Sequence, residues 1–304
     1  MINLFHLPQF RINSKSFSHA LHDEGVSDLE AKLTNYVGAK YGVLVNSATN
    51  AIFLALLNKN QSITIPSLIP PVVINAIITS NNSYEFNDNV EWIGNSYILH
   101  KFKDYKIIDS AQKIKENQFL KEARPKDLMI FSFYPTKPLG GIDGGLVVSD
   151  DKEKIEHLRT LSFNGTTFKE NNWERQIIMP GYKFYMSSVQ ASVILSNLKA
   201  YDKKIKKINQ IREIYNEAFS MQNTSDHLYR INVKDRDAII LKAKSKNIIC
   251  GIHYRAMHRH PVFYKDVILP KSEQEEITTL SIPFHENLSV KEAKYVVNFF
   301  KPYL

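Results

Sequence analysis

Three polar stations in this chain stand where apolar runs end. The first, Asn46-Ser47-Ala48-Thr49-Asn50, separates Tyr41-Gly42-Val43-Leu44-Val45 from Ala51-Ile52-Phe53-Leu54. Small hydroxyl and amide side chains at such a junction cap a helix, and the unpaired N–H groups of a helix's first turn also make a site for phosphate. The second is Asp109, directly after Lys106-Ile107-Ile108 and before Ser110-Ala111-Gln112. A carboxylate at the end of a buried strand needs a cation or several hydrogen bonds, although a helix cap is the plainer alternative. The third is Lys137, in Phe131-Ser132-Phe133-Tyr134-Pro135-Thr136-Lys137-Pro138-Leu139-Gly140-Gly141. The alternative here is a surface lysine. Held between an aromatic-rich strand and a glycine-bearing turn, however, a lysine loses basicity by desolvation and becomes an amine nucleophile toward aldehydes.

The three stations together match the needs of one cofactor. Pyridoxal phosphate requires an anion site for its phosphate, a carboxylate to keep its ring nitrogen protonated, and a lysine for its aldehyde. The protonated ring draws electrons from a substrate carbanion, and the lysine amine, once displaced, carries the proton.

Stations of this kind belong beyond the carboxyl ends of strands in an open α/β sheet. The runs at 41–45, 62–66, 105–108, 128–133 and 145–149 read as strands, with helix-period segments at 49–57 and 72–78 between them. Alternation of this type predicts an α/β fold with a mainly parallel sheet between helices. Past residue 150 the texture changes. One long helix from about Ser187 to Phe219 reads as a connector, followed by a strand at 228–233 and a helix at 236–246. The expected division is a large cofactor-binding domain at 1–200 and a smaller C-terminal α+β domain at 201–304.

Composition narrows the classes. The chain has 304 residues, 43% of them hydrophobic, enough for a real core, and no apolar run of about 18 residues that would span a membrane. The N-terminus lacks the basic and apolar regions of a signal peptide. Cys250 is the only cysteine, which excludes intrachain disulfides and favours a reducing, cytoplasmic setting. Lys and Arg outnumber Asp and Glu by 39 to 31, a balance that attracts anions generally. The densest cluster, Lys203-Lys204 with Lys206-Lys207, alternates with apolar residues at helical spacing and reads as a solvated helix face rather than a nucleic-acid patch. No carboxylate or cysteine at ligand spacing completes a metal site around His253, His258 and His260.

At these residues the sequence resembles the DegT/StrS-type sugar aminotransferases, members of the fold-type-I pyridoxal-phosphate enzymes. The matching pieces run in family order from Tyr36-Val37-Gly38-Ala39-Lys40-Tyr41 through Asn46-Ser47-Ala48-Thr49-Asn50-Ala51 and Ile108-Asp109-Ser110-Ala111-Gln112 to the stretch ending at Lys137. Asp143-Gly144-Gly145, Met186-Ser187-Ser188-Val189-Gln190-Ala191, Gly251-Ile252-His253-Tyr254 to His258, and Leu280-Ser281-Ile282-Pro283 follow. The resemblance implies that Lys137 forms the Schiff base, Asp109 pairs with the pyridine nitrogen, and Gln112 reaches the phenolic oxygen. It implies that Ala48, Thr49 and Ser132 hold the phosphate and that His258 lies at the substrate. It further implies a homodimer whose active sites are shared, a nucleotide-linked keto-sugar as substrate, and glutamate as amino donor. Lys137 counts against the family's dehydratase branch, where a histidine stands in its place.

The chain departs from the family pattern in three places. Ile69 and Pro70 stand where the family has threonine and a ring-stacking aromatic. Gly181-Tyr182-Lys183-Phe184-Tyr185-Met186 replaces a motif whose asparagine reaches the partner subunit's phosphate, so that Lys183 takes that place as a point charge. The stretch from Asp88 to Asp109 is short by about one helix. These changes leave a second reading open, a homologue that binds cofactor or sugar nucleotide without turnover.

Overall fold

The computed structural model describes residues 1–7, 24–168 and 174–304. In chain order the elements are α1 (Glu24–Val37), β1 (Tyr41–Val45), α2 (Ala48–Leu56), β2 (Ser62–Pro66), α3 (Pro71–Thr79), β3 (Ser83–Asn87), β4 (Tyr97–Lys101), β5 (Lys106–Asp109), α4 (Gln118–Glu122), β6 (Leu128–Ser132), β7 (Gly145–Ser149) and α5 (Lys152–Ser162). A short hairpin, β8 (Thr166–Phe168) and β9 (Arg175–Ile177), precedes α6 (Ser188–Lys199) and α7 (Tyr201–Phe219). The chain closes with β10 (Tyr229–Asn232), α8 (Arg236–Ser245), α9 (Pro270–Thr278), β11 (Thr279–Ile282) and α10 (Val290–Phe300).

Period-two alternation builds the central layer. Val43 and Val45 of β1, Ile130 of β6 and Val147 of β7 face one side, where they meet α2, α3 and α5. Leu44, Met129, Phe131, Leu146 and Val148 face the other and pack on α1 and α6. Strands covered on both faces read as continuous apolar runs, which is why they were visible in the sequence. A third core joins α7, α8 and α10 to the β10–β11 pair. Ile2, far away in sequence, packs on this third core and bridges to Ile248. In the opposite sense, Ala256, Met257, Phe263 and Leu269 pack into the first core.

The five-stranded sheet has the order β1-β7-β6-β5-β4. β5 and β6 pair in parallel, whereas β1–β7, β6–β7 and β4–β5 pair antiparallel. Strands β1, β5 and β6 therefore share one direction, with β7 and β4 reversed. β2 and β3 form a separate parallel pair. The parallel character lies in the direction shared by the strands that carry the polar stations, more than in neighbour-by-neighbour pairing.

Two features differ from the sequence reading. Residues 97–101 form an edge strand that was not anticipated. Antiparallel neighbours need only a turn, whereas parallel ones need a crossover of a dozen or more residues. With only residues 102–105 between β4 and β5, the chain turns directly from one into the other, and the Tyr105 carbonyl accepts from the Phe102 amide at 2.8 Å. The expected single helix from 187 to 219 is two helices. Ala200 leaves the helical conformation (φ −100°, ψ 1°), and Tyr201 buries its ring and donates its hydroxyl to the Ile114 carbonyl. Among the described residues no helix is long and apolar enough to cross a membrane.

Candidate active site

The sheet brings the three stations to one edge. In register, Val45 pairs with Gly145, and Gly145 pairs with Ser132. The end of β1, the start of β7 and the end of β6 therefore lie side by side, and α2 begins directly above them. Ser47 caps α2 by accepting from the Asn50 amide at 3.2 Å, and Asn50 donates to the Asn46 side chain at 2.7 Å. The amides of Ala48 and Thr49 lie in the first turn, whose N–H groups have no helical acceptor. Gly145 allows this approach: a Cβ there would lie 2.7 Å from the Ala48 nitrogen and 2.8 Å from the Ser47 carbonyl carbon. Gln190, the N3 residue of the capping box that starts α6, donates to the Asn46 carbonyl at 3.0 Å and fastens the loop from the opposite side.

Asp109 ends β5 and is buried. Its Oδ1 accepts from the Ala111 amide at 2.9 Å and its Oδ2 from the Tyr97 phenol at 3.0 Å. Burial raises its pKa, while the Ala111 amide, Tyr97 and the charge of Lys137 oppose the rise. Lys137 sits in the tight loop after β6, where its amide donates to the Tyr134 carbonyl and Gly140 leaves no room for a side chain against the Pro135 carbonyl. Desolvation brings its amine down to about 8, against the pull of Asp109. The amine therefore gives up its proton far more readily than a solvated lysine, as a nucleophile must.

Gln112 is buried and engaged at both ends. Its Oε1 accepts from the Gly94 amide at 2.7 Å, and its Nε2 donates to the Tyr254 hydroxyl at 2.8 Å. Two imidazoles lie within electrostatic reach of Lys137. His253 bonds Ser281 through Nδ1 at 2.9 Å, and burial, with Lys137 and Arg230 nearby, brings its pKa to about 4. His227 hydrogen-bonds the backbone of Thr136 and stacks on Phe5, its Nδ1 buried without a partner among the described residues. Both rings are neutral at pH 7, and neither adds a charge against the amine.

Of the other residues singled out from the sequence, Ser132 is partly exposed at the end of β6. Lys183 is exposed, its backbone bridged to Phe163, while the next residue's carbonyl accepts from the Asn46 amide beside the start of α2. His258 is fully buried: Nδ1 lies 2.6 Å from Ser67 Oγ and Nε2 lies 3.3 Å from Glu273 Oε1. It clamps the loop after β2 to the start of α9. Among the lysines at 203–207, Lys204 is partly buried and paired with Glu286 at 3.6 Å; the other three are solvated as expected. Tyr97, Trp92 and His227 carried no motif, and only the folded chain shows them at the site.

These residues fit pyridoxal phosphate. A half-buried amine of lowered basicity faces a buried carboxylate, and a helix start opens beside them at a glycine that leaves it space. Comparison with known proteins points the same way. The model of the DegT/DnrJ/EryC1/StrS aminotransferase family matches residues 14–81 and 123–301. The interval between them holds β4, β5, Asp109 and Gln112. The UDP-4-amino-4,6-dideoxy-N-acetyl-beta-L-altrosamine transaminase of Campylobacter jejuni is 26% identical over 330 residues, covering 89% of this chain and 87% of that protein. The spore coat polysaccharide biosynthesis protein SpsC of Bacillus subtilis is 25% identical over 341 residues, covering 90% and 87%. Among solved structures, the aminotransferase TlmJ of Streptoalloteichus hindustanus superposes with a TM-score of 0.81 at 18% identity, over 99% of this chain and 98% of that one. The Streptococcus pneumoniae protein Spr1654, solved in a PMP-form and a PLP-form, gives a TM-score of 0.79 at 17% identity in each, over 98% of this chain and 98% and 97% of those chains. With a model match over most of its length and a fold-type-I architecture throughout, the chain belongs to the DegT/DnrJ/EryC1/StrS family of pyridoxal-phosphate-dependent sugar aminotransferases.

Proposed function

We propose that this protein transfers an amino group, with glutamate as donor, to a 3- or 4-keto deoxysugar carried on a nucleotide. The observation that carries this reading is the pairing of half-buried Lys137 with buried Asp109, an amine brought to about 8 facing a carboxylate that burial holds above its usual range. Bound pyridoxal phosphate supplies the electron sink for a carbanion at the substrate carbon. The rest falls to the chain's own residues. Lys137, free to be neutral or charged near pH 8, would carry the proton between that carbon and the cofactor. Asp109 holds the ring nitrogen, and Gln112 lies within the same wall. The amides of Ala48 and Thr49 and the Ser132 hydroxyl receive the phosphate at the positive end of α2.

The sharing of sites between two subunits belongs to the same proposal. Lys183, exposed on its own subunit, would reach the phosphate bound by the partner of a homodimer. His258 stands at the substrate side in this reading. Its two ring nitrogens are held by Ser67 and Glu273, so a sugar oxygen reaching Nε2 would displace Glu273. The single cysteine suits a cytoplasmic setting, and the names of the Campylobacter and Bacillus relatives support a role in glycan assembly.

The test is a visible absorption spectrum of protein reconstituted with pyridoxal phosphate, before and after glutamate, alongside Lys137→Ala. The expected result is a protein-bound band that glutamate abolishes and that Lys137→Ala lacks while staying folded. A band that ignores glutamate and every other amino donor would establish the non-catalytic binding alternative instead.

A further inference from the structure

The chain spends its shortened segment between β3 and β5 on holding the two residues that this reading turns toward the cofactor. Tyr97 and Asp109 are register partners in the β4–β5 ladder, and the Tyr97 phenol donates to Asp109 Oδ2. The Tyr97 ring leans on Trp92, with centroids 4.7 Å apart. Trp92 stacks parallel to Tyr254 at 6.0 Å, and the Tyr254 hydroxyl accepts from Gln112. The other end of Gln112 accepts from the amide of Gly94, two residues beyond Trp92. Trp92, Tyr254, Gln112 and Gly94 thus close a ring, and Tyr97 reaches from it to Asp109. Gly94 sits at φ +88°, and a side chain there would strike Ser225, so the turn carrying Trp92 is pinned to the C-terminal half of the chain.

A buried carboxylate stays ionised only where hydrogen bonds or cations replace its water. Besides the Ala111 amide, the groups facing Asp109 are the side chains of Tyr97 from β4, Lys137 from the loop after β6, and Tyr254 from the loop after residue 250. Lys137 is the cation among them, and its reaction requires it to be neutral. While that chemistry proceeds, the phenol of Tyr97 is the side-chain donor that remains.

We propose that Tyr97 is a positioning residue that keeps Asp109 ionised and aimed at the cofactor's ring nitrogen, a duty assigned to the edge strand that this short chain has in place of a crossover. This rests on the reading of Asp109 as that nitrogen's partner. It adds a residue that no motif marks.

Tyr97→Phe keeps the ring and its packing on Trp92 and removes only the hydroxyl. The readout is affinity for pyridoxal phosphate, followed by quenching of intrinsic fluorescence from pH 5.5 to 8.5, with Asp109→Asn as control. We expect Asp109→Asn to bind weakly at every pH. Tyr97→Phe should bind like the parent at pH 8 and about ten-fold more weakly near pH 6, its acid limb moved up by about one unit. An unmoved limb in Tyr97→Phe, with Asp109→Asn weakened, overturns the role of Tyr97 and leaves that of Asp109 standing. Unaltered affinity in Asp109→Asn overturns both. Should Tyr97→Phe fail to fold, 3-fluorotyrosine incorporated at position 97 preserves the shape and donates more strongly. The limb is then expected to move down, and an unmoved limb overturns the proposal.

Discussion

Lys137 and Asp109 each oppose what burial does to the other: the carboxylate raises the amine that desolvation lowers, and the amine lowers the carboxylate that desolvation raises. Neither effect cancels. The amine is left at about 8, within reach of both protonation states at physiological pH. A lysine at its ordinary value would be almost wholly charged there and a poor nucleophile.

The first prediction concerns that amine. Below about pH 8 it is mostly ammonium and does not attack an aldehyde; above it, the free amine dominates. Borohydride trapping of pyridoxal phosphate on the apoprotein, followed by peptide mass spectrometry, should label Lys137 at an initial rate that rises to a plateau just above pH 8. Exposed lysines should continue to gain reactivity toward pH 10. A Lys137 rate still climbing in parallel with theirs would show that the amine is not desolvated.

His253 sets a second pH dependence, in stability. Its folded pKa, about 4, lies below the ordinary 6.5 through burial and the charges of Lys137 and Arg230. Between those values the unfolded chain binds the proton more readily, so stability rises with pH in this window and is lost as pH falls from about 6.5 toward 4. Thermal midpoints of the apoprotein should fall by several degrees across that interval. His253→Gln should flatten the dependence, and an equal slope in the variant would assign the effect elsewhere, with buried His227 next in line.

Gly145 gives a steric prediction. In Gly145→Ala the new methyl meets backbone atoms of Ser47 and Ala48, which cannot swing aside as a side chain could. The start of α2 must shift. The expected cost is about 1–3 kcal/mol of stability, measured by denaturant unfolding. The larger effect should be a loss of at least ten-fold in affinity for pyridoxal phosphate, since the displaced amides are those of the anion site.

Site sharing can be tested by complementation. Lys137→Ala and Lys183→Glu should each be impaired alone. In a C2 dimer, random mixing yields hybrids carrying one intact site and one doubly damaged one, and recovers roughly a quarter of parental activity. Hybrids without recovery would place Lys183 in its own subunit's site or outside both.

How much of this was legible in one dimension follows from the range of each interaction. Strands buried on both faces, as at 43–45 and 129–131, are apolar without interruption and declare themselves. The capping box at Ser187 and Gln190 spans three residues and is written locally. The break at Ala200 was not: the apolar period continues across it, and what separates α6 from α7 is Tyr201 finding Ile114, 87 positions away. Strand β4 was missed because its pairing with β5 follows from a lack of chain for a crossover, a condition that concerns neighbours rather than the residues themselves.

The sequence by itself determined the chemical parts and their order: a capped helix start, a carboxylate and a lysine, each at the end of a strand, with the alternating faces that fold a sheet beneath them. Those depend on residue type and near-neighbour spacing. Only the tertiary structure decided how the parts are tuned. Desolvation of Lys137, the phenol of Tyr97 on Asp109, and the clamp of His258 on Ser67 across 191 positions arise from atoms brought together by packing. Burial and electrostatic neighbourhood are properties of the folded surface, and spacing along the chain does not encode them.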